Sequence, residues 1–257
     1  MKNIQFMGHI IAGYPNKKQS IEAAMGICEG GADFLEIQFP FSDPNADGPI
    51  IENACNIALK NGFEIKDGFE ITNFLSTKYT NTKIIIMTYA NIIFTFGIEK
   101  FIKKAKLCGV IAIIIPDLTF ESDEGLRSIA KNYHIHVIEL ITPGMPAKRI
   151  QKLSKNTSCE FVYVVARSGI TGEKTCIDEF LFEWIDFVRK NCTKKIALGF
   201  GIQNKNQIQA LKDKIDIVVA GSYFVKKIAS LKDGKNTLEI LKIHTTNLFP
   251  VTMKRNN

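Results

Sequence analysis

The stretch "FLEIQFPFSDPNADGP", residues 34–49, sets Glu36 inside an apolar run and Asp47 on the Pro-, Asp- and Asn-rich loop that follows. Burying a carboxylate is expensive, so an acid in an apolar run needs a reason. A carboxyl walled by apolar side chains at a strand end has its neutral form favoured and can shuttle protons near neutral pH. A carboxylate on a polar loop stays ionised, and the loop can close over a substrate. The residues alone leave a second reading of Glu36 open, as a structural carboxylate that caps a neighbouring loop.

Eight short apolar, β-branched runs must position these acids: "FMGHIIAG", "DFLEIQF", "KIIIMTY", "GVIAIIIP", "HIHVIELI", "EFVYVVA", "KKIALGF" and "DIVVAGS". Most are nearly continuous rather than alternating, as expected of strands covered on both faces of a parallel sheet. Amphipathic helical stretches separate them, such as "KKQSIEAAMGICEGG" and "IEKFIKKAKLCG", each stopped by Gly. Eight strand–helix repeats in 257 residues predict a (β/α)8 TIM barrel. An open doubly wound sheet is the alternative. No Pro/Ser-rich linker divides the chain, so residues 1–257 are expected to form a single barrel domain.

A barrel does its chemistry at the C-terminal ends of its strands. There the sequence places "PFSDPNADGP" after the second run, Tyr89 after the third and "PDL" with Asp117 after the fourth. "RSGITGEKT" follows the sixth, "GFGIQ" the seventh and "AGSYF" the eighth. Gly172, Gly201 and Gly221 would let backbone N–H groups approach a phosphate, and Ser222 could add a hydroxyl. Any one glycine is explained by strand termination alone; three at the correct strand ends favour phosphate.

The net charge of +7 comes from lysines scattered along helical stretches, without a dense basic block or interleaved aromatics. This predicts a solvated face rather than a nucleic-acid surface. None of the six cysteines forms a C-x-x-C pair, so reduced, buried thiols are expected. His134 and His136 alternate along the fifth run without a partnering carboxylate, and no zinc spacing or Walker loop is present, so no metal site is expected. Runs such as "GVIAIIIP" fall well short of the roughly 20 residues a bilayer requires. With no secretory signal at the N-terminus, a cytoplasmic protein is expected.

"LEIQFPFSDPNADGPIIENA", "YVVARSGITG", "LGFGI" and "VVAGSYFVKKI" together resemble the tryptophan synthase α-subunit family, from "IIAGYP" to the glycine loops. The resemblance implies retro-aldol cleavage of indole-3-glycerol phosphate to indole and glyceraldehyde-3-phosphate. It implies a pyridoxal-phosphate β subunit that takes up the indole, an α–β–β–α heterotetramer, and no cofactor in this chain. Glu36 becomes the mobile acid/base, and Asp47 the stabiliser of the indole N–H. Met87, Tyr89 and Tyr163 line the pocket, and Phe200 and Gly201 face its phosphate end. Thr171 helps to orient Asp47 when its loop closes. Asp43 and Asp117 fall where the family packs against its β subunit.

The chain departs from the family pattern at several positions. His9 stands where an apolar or aromatic pocket residue is usual, and Gln38 where Gly is usual. Asn45 and Ile50 replace a usual apolar residue and Thr. The N-terminus looks short for the family's usual helix across the barrel bottom. His9 is either a satisfied core histidine or, with Gln38, part of a polar wall beside the indole. Such a wall costs affinity, because desolvated polar groups need partners. The expectation is a poor lyase in isolation, improved by changing His9 to Phe together with Gln38 to Gly. A weakened α subunit that mainly activates its β subunit, and another phosphate-binding barrel enzyme, remain as rival readings.

Overall fold

The computed structural model describes residues 4–166, 177–199, 201–231 and 236–250. The strands are β1 (Gln5–Ile11), β2 (Phe34–Gln38), β3 (Lys83–Met87), β4 (Val110–Ile114), β5 (His136–Val137), β6 (Leu140–Ile141), β7 (Phe161–Val165), β8 (Lys195–Gly199) and β9 (Ile217–Ala220). All pair in parallel, in the order β5-β4-β3-β2-β1-β9-β8-β7-β6.

The order closes on itself because β5 and β6 are pieces of one extended run, the fifth predicted from sequence. Between them, Ile138 N–H donates to Ile113 O at 2.9 Å, while Tyr163 N–H donates to Glu139 O at 2.9 Å. The run thus joins β4 on one side to β7 on the other, and the sheet is a (β/α)8 barrel. His134 does not belong to that strand. It sits in the preceding turn with φ +54.

The helices wrap the barrel. They are α1 (Lys17–Glu29), α2 (Pro49–Lys60), α3 (Ile65–Lys78), α4 (Ala90–Phe96), α5 (Ile98–Leu107), α6 (Leu126–Asn132), α7 (Ala147–Asn156), α8 (Glu179–Asn191), α9 (Lys205–Leu211), α10 (Ser222–Ala229) and α11 (Thr237–Leu248) among the described residues. Side-chain caps stand before α1, α8 and α9: Asn16 accepts from Gln19 N–H, Asp178 from Leu181 N–H and Asn204 from Gln207 N–H. Helix α2 begins with Pro49 directly after Gly48, where a missing N–H is harmless. A Cβ at Gly26 would lie 2.3 Å from Leu238 O, and one at Gly30 would lie 2.4 Å from Thr245 Cβ. These two glycines on one face of α1 let α11 pack directly against its backbone.

Successive side chains on a strand alternate between the helix layer and the barrel interior. The interior set includes Met7, Phe34, Ile85, Ala112, Ile138, Phe161, Ala197 and Ile217. Phe34 and Phe161 meet edge-on across the interior, 5.4 Å between centroids. Five cysteines are free and buried, and Cys176 lies outside the described residues. Burial pushes the Cys28 and Cys55 thiols up to about 12, so they stay protonated and inert near neutrality.

Candidate active site

Glu36 lies at the middle of β2, not at a strand end as the sequence suggested. Gln38 holds the end. Because the period of a strand is two, Phe34, Glu36 and Gln38 share one face, and Phe34 fixes that face as the interior. The β1–β2 register sets His9 directly beside Glu36. The His9 Nδ1 to Glu36 Oε1 distance is 3.0 Å, and both residues are 5% exposed. His9 Nε2 and Glu36 Oε2 have no hydrogen-bond partner among the described residues.

Asp47 comes from the loop between β2 and α2, which two tight turns fold inward: Asn45 N–H donates to Asp43 O and Asp47 N–H to Pro44 O. Gln38 Nε2 donates to Asp47 Oδ2 at 2.6 Å, and Tyr89 OH donates to the same oxygen at 2.9 Å. Tyr89 also accepts from Ala46 N–H at 3.2 Å and stacks on Phe41, so the ring is fixed from both sides. The carboxyl is less solvated than a polar loop implied. Burial pushes its pKa up, against the opposing effect of the Gln38 and Tyr89 hydrogen bonds. The charge of Glu36 also raises it, and that of His9 lowers it, so all three groups share one electrostatic neighbourhood.

Tyr163 enters the same space from β7. Its phenol is pushed well above the usual value by burial first, then by the charges of Glu36 and Asp47. A Cβ on residue 199 would lie 2.5 Å from Tyr163 Cε1, so Gly199 makes room for the ring. Met87 stands beside Gln38 in the β2–β3 register. His9, Met87, Tyr89 and Tyr163 are therefore assembled around the two acids.

Two more elements complete the mouth on the other side of β1 from β2. Gly201, after β8, has φ +65, a backbone conformation that suits glycine. Gly221 precedes α10, and Ser222 opens that helix with a buried hydroxyl lacking a partner among the described residues. The first-turn N–H groups of a helix are free to meet an anion. Thr171, Gly172 and Phe200 lie outside the described residues.

Asp43 and Asp117 are exposed on loops at this end of the barrel. Asp117 accepts from Ala90 N–H at 2.9 Å and so caps α4, while Asp43 accepts from Ser42 Oγ at 2.5 Å. Of the departures, Asn45 is exposed and Ile50 packs on the outer core. His9 and Gln38 each meet one acid through one atom, while His9 Nε2 and Gln38 Oε1 lack a partner among the described residues. Sequence reasoning missed Gln38 as the contact that holds Asp47, with Cys55 Sγ 3.6 Å behind its amide. It also missed Gly199, for which the only signal was a glycine inside an apolar run. Among the described residues, no three His, Cys, Asp or Glu side chains cluster as a metal site would.

A closed parallel barrel with two acids, two tyrosines and a helix N-terminus gathered at one mouth has the architecture of a TIM-barrel enzyme. Residues 1–251 match the family described as "Tryptophan synthase alpha chain", and the chain belongs to that family. As a member it is a carbon–carbon lyase, of the kind named indole-3-glycerol-phosphate lyase.

The chain is 58% identical over 232 residues to the tryptophan synthase alpha chain of Helicobacter hepaticus, covering 88% of this chain and 86% of that one. It is 34% identical to that of Halalkalibacterium halodurans, over 94% and 90% of the two chains. A mutant tryptophan synthase alpha-subunit from Pyrococcus furiosus superimposes with a TM-score of 0.86 at 30% identity, over 96% of this chain and 98% of that one. The tryptophan synthase complex of Pyrococcus furiosus gives 0.85 at 29%, over the same shares.

Proposed function

We propose that Glu36 and Asp47 carry the cleavage of indole-3-glycerol phosphate into indole and glyceraldehyde-3-phosphate. Ring carbon C3 gains a proton, and the glycerol hydroxyl beside the scissile bond loses one. The electrons of the broken bond return to the ring, and the side chain leaves as the aldehyde. Protons balance, because one is taken up at carbon and one is released from oxygen. Glu36 is suited to both transfers from its place inside the barrel. Positive charge develops on the indole N–H as C3 is protonated, and Asp47 stabilises it there.

The observation that carries this reading is the convergence of both acids on one pocket, each held by its own hydrogen-bonding partner. Gly201, Gly221 and Ser222 are suited to the phosphate, with Gly172 and Phe200 completing that end by resemblance. Thr171 is assigned on the same ground to orient Asp47. Met87, Tyr89 and Tyr163 form the indole wall.

Asp43 and Asp117, exposed beside the pocket, are suited to meet a β subunit, as in the α–β–β–α heterotetramer the family implies. Pyridoxal phosphate then belongs to the β subunit, and the lyase step uses this chain's own side chains. The chain works as one barrel unit in the cytoplasm; among the described residues, no helix is long and apolar enough to cross a membrane. The activator-only reading keeps its ground in His9 Nε2 and Gln38 Oε1, which lack a partner among the described residues; activation of β with no indole release would favour it. Indole release from indole-3-glycerol phosphate, measured with and without β subunit, tests the proposal; no release in either condition rejects it.

A further inference from the structure

We propose that His9 is a positioning residue of the lyase reaction, holding Glu36 as half of a buried imidazole–carboxylate dyad. This rests on the reading of Glu36 as the proton carrier. His9 and Glu36 are register partners on adjacent strands, so the sheet itself sets the pair side by side. The bond between His9 Nδ1 and Glu36 Oε1 occupies one carboxylate oxygen. Oε2 is left as the oxygen free for a substrate proton. An unheld carboxylate rotates and offers either oxygen; a held one offers a single oxygen in one direction. Such pre-orientation is worth much in a proton transfer, where a displacement of about 1 Å costs on the order of 100-fold.

The imidazole is fixed in turn. A Cβ at Gly221 would lie 3.7 Å from His9 Cγ, so the ring packs against the turn that opens α10. His9 therefore bridges Glu36 and the glycine sector. The other titratable groups facing the pair are Asp47 from the loop after β2 and Tyr163 from β7, with Tyr89 behind Asp47. Two carboxyls share this neighbourhood, and the imidazole stands between Glu36 and the α10 turn.

With Glu36 ionised, Nδ1–H donates to Oε1. When Oε2 has taken up a substrate proton, the same Nδ1–H still donates to Oε1, and Oε2 returns that proton without any change at the ring. The contact therefore survives both halves of a cycle in which Glu36 accepts and returns one proton.

Two variants test this. His9→Phe keeps a ring but removes the donor. His9→Asn keeps an amide N–H close to the place of Nδ1 and cannot titrate. The expected result for His9→Phe is a fall in kcat of at least about tenfold, with KM changed by less than about threefold. His9→Asn should recover most of kcat. Glycerol phosphate binding and the melting temperature, measured on each variant, confirm an intact fold. Glu36→Gln is run beside them. If it is inactive while His9→Phe keeps the native kcat and pH profile, the dyad is rejected and the role of Glu36 stands. If Glu36→Gln retains native activity, the reading of Glu36 itself fails. An Asn variant as slow as the Phe variant also overturns the proposal, because hydrogen-bond donation is the contribution asserted.

Discussion

Gln38 and Tyr89 donate to the same oxygen of Asp47, Oδ2, at 2.6 and 2.9 Å. The carboxylate is thereby anchored by one oxygen, and Oδ1 is the oxygen that the proposed function assigns to the indole N–H. Gln38 comes from the end of β2 and Tyr89 from the turn after β3, so two strands of the barrel position a residue that belongs to a loop. That gives a loop carboxylate the rigidity of the scaffold.

The first prediction concerns the acids. Glu36→Gln and Asp47→Asn should each slow single-turnover indole formation by about 10²- to 10⁴-fold, the usual weight of a positioned proton-transfer group. Melting temperatures should stay close to that of the parent. Unchanged rates in both variants would end the assignment.

A second prediction follows from the anchoring of Asp47. Burial raises its pKa, and the two hydrogen bonds oppose that rise by favouring the ionised form. Removing either donor lets the pKa climb further. Activity that needs ionised Asp47 must then fail at a higher pH on the acid side. Tyr89→Phe and Gln38→Leu should each move the acid limb of kcat upward, and a limb that moves down or not at all contradicts the contact. For the same reason, the gain in rate that sequence reasoning expected from removing His9 and Gln38 should be a loss.

A third prediction separates the two phosphate glycines. Gly201 has a positive φ, so any β-branched replacement there is strained and should disturb the turn. Gly221 has ordinary room for one methyl, since a Cβ would meet the His9 ring at 3.7 Å. Gly221→Ala should therefore bind glycerol phosphate nearly as the parent does. Gly201→Val and Gly221→Leu should bind at least about tenfold more weakly, about 1.4 kcal/mol. Calorimetric titration decides it, and equal affinities across all three would place the phosphate elsewhere.

A fourth prediction concerns stability away from the site. At Gly26→Val the new Cβ would fall 2.3 Å from Leu238 O and force α11 away from α1. Overpacking of this kind costs about 1–3 kcal/mol, to be read from the urea midpoint. Full stability in this variant would mean that α11 can shift without loss.

The amino-acid sequence by itself pointed to the barrel and singled out the two acids, while the roles given to them came from the family resemblance. Buried parallel strands have to be short continuous apolar runs, and Gly30 and Gly109 end two of the helices that lead into the next strand, so the alternation is legible in the chain. Glu36 stood out because a carboxylate in such a run is costly, and Asp47 because its loop is dense in turn-forming residues. What only the tertiary structure decided is who touches whom. The pairing of His9 with Glu36 depends on the register of β1 against β2, and that of Gln38 with Asp47 on how a loop folds back over its own strand. The fifth strand could not be seen as two pieces, because its break is fixed by the neighbours it joins on either side. Local pattern carries the period of a strand but neither its register nor the path of the loop after it, and these set His9 against Glu36 and Gln38 against Asp47.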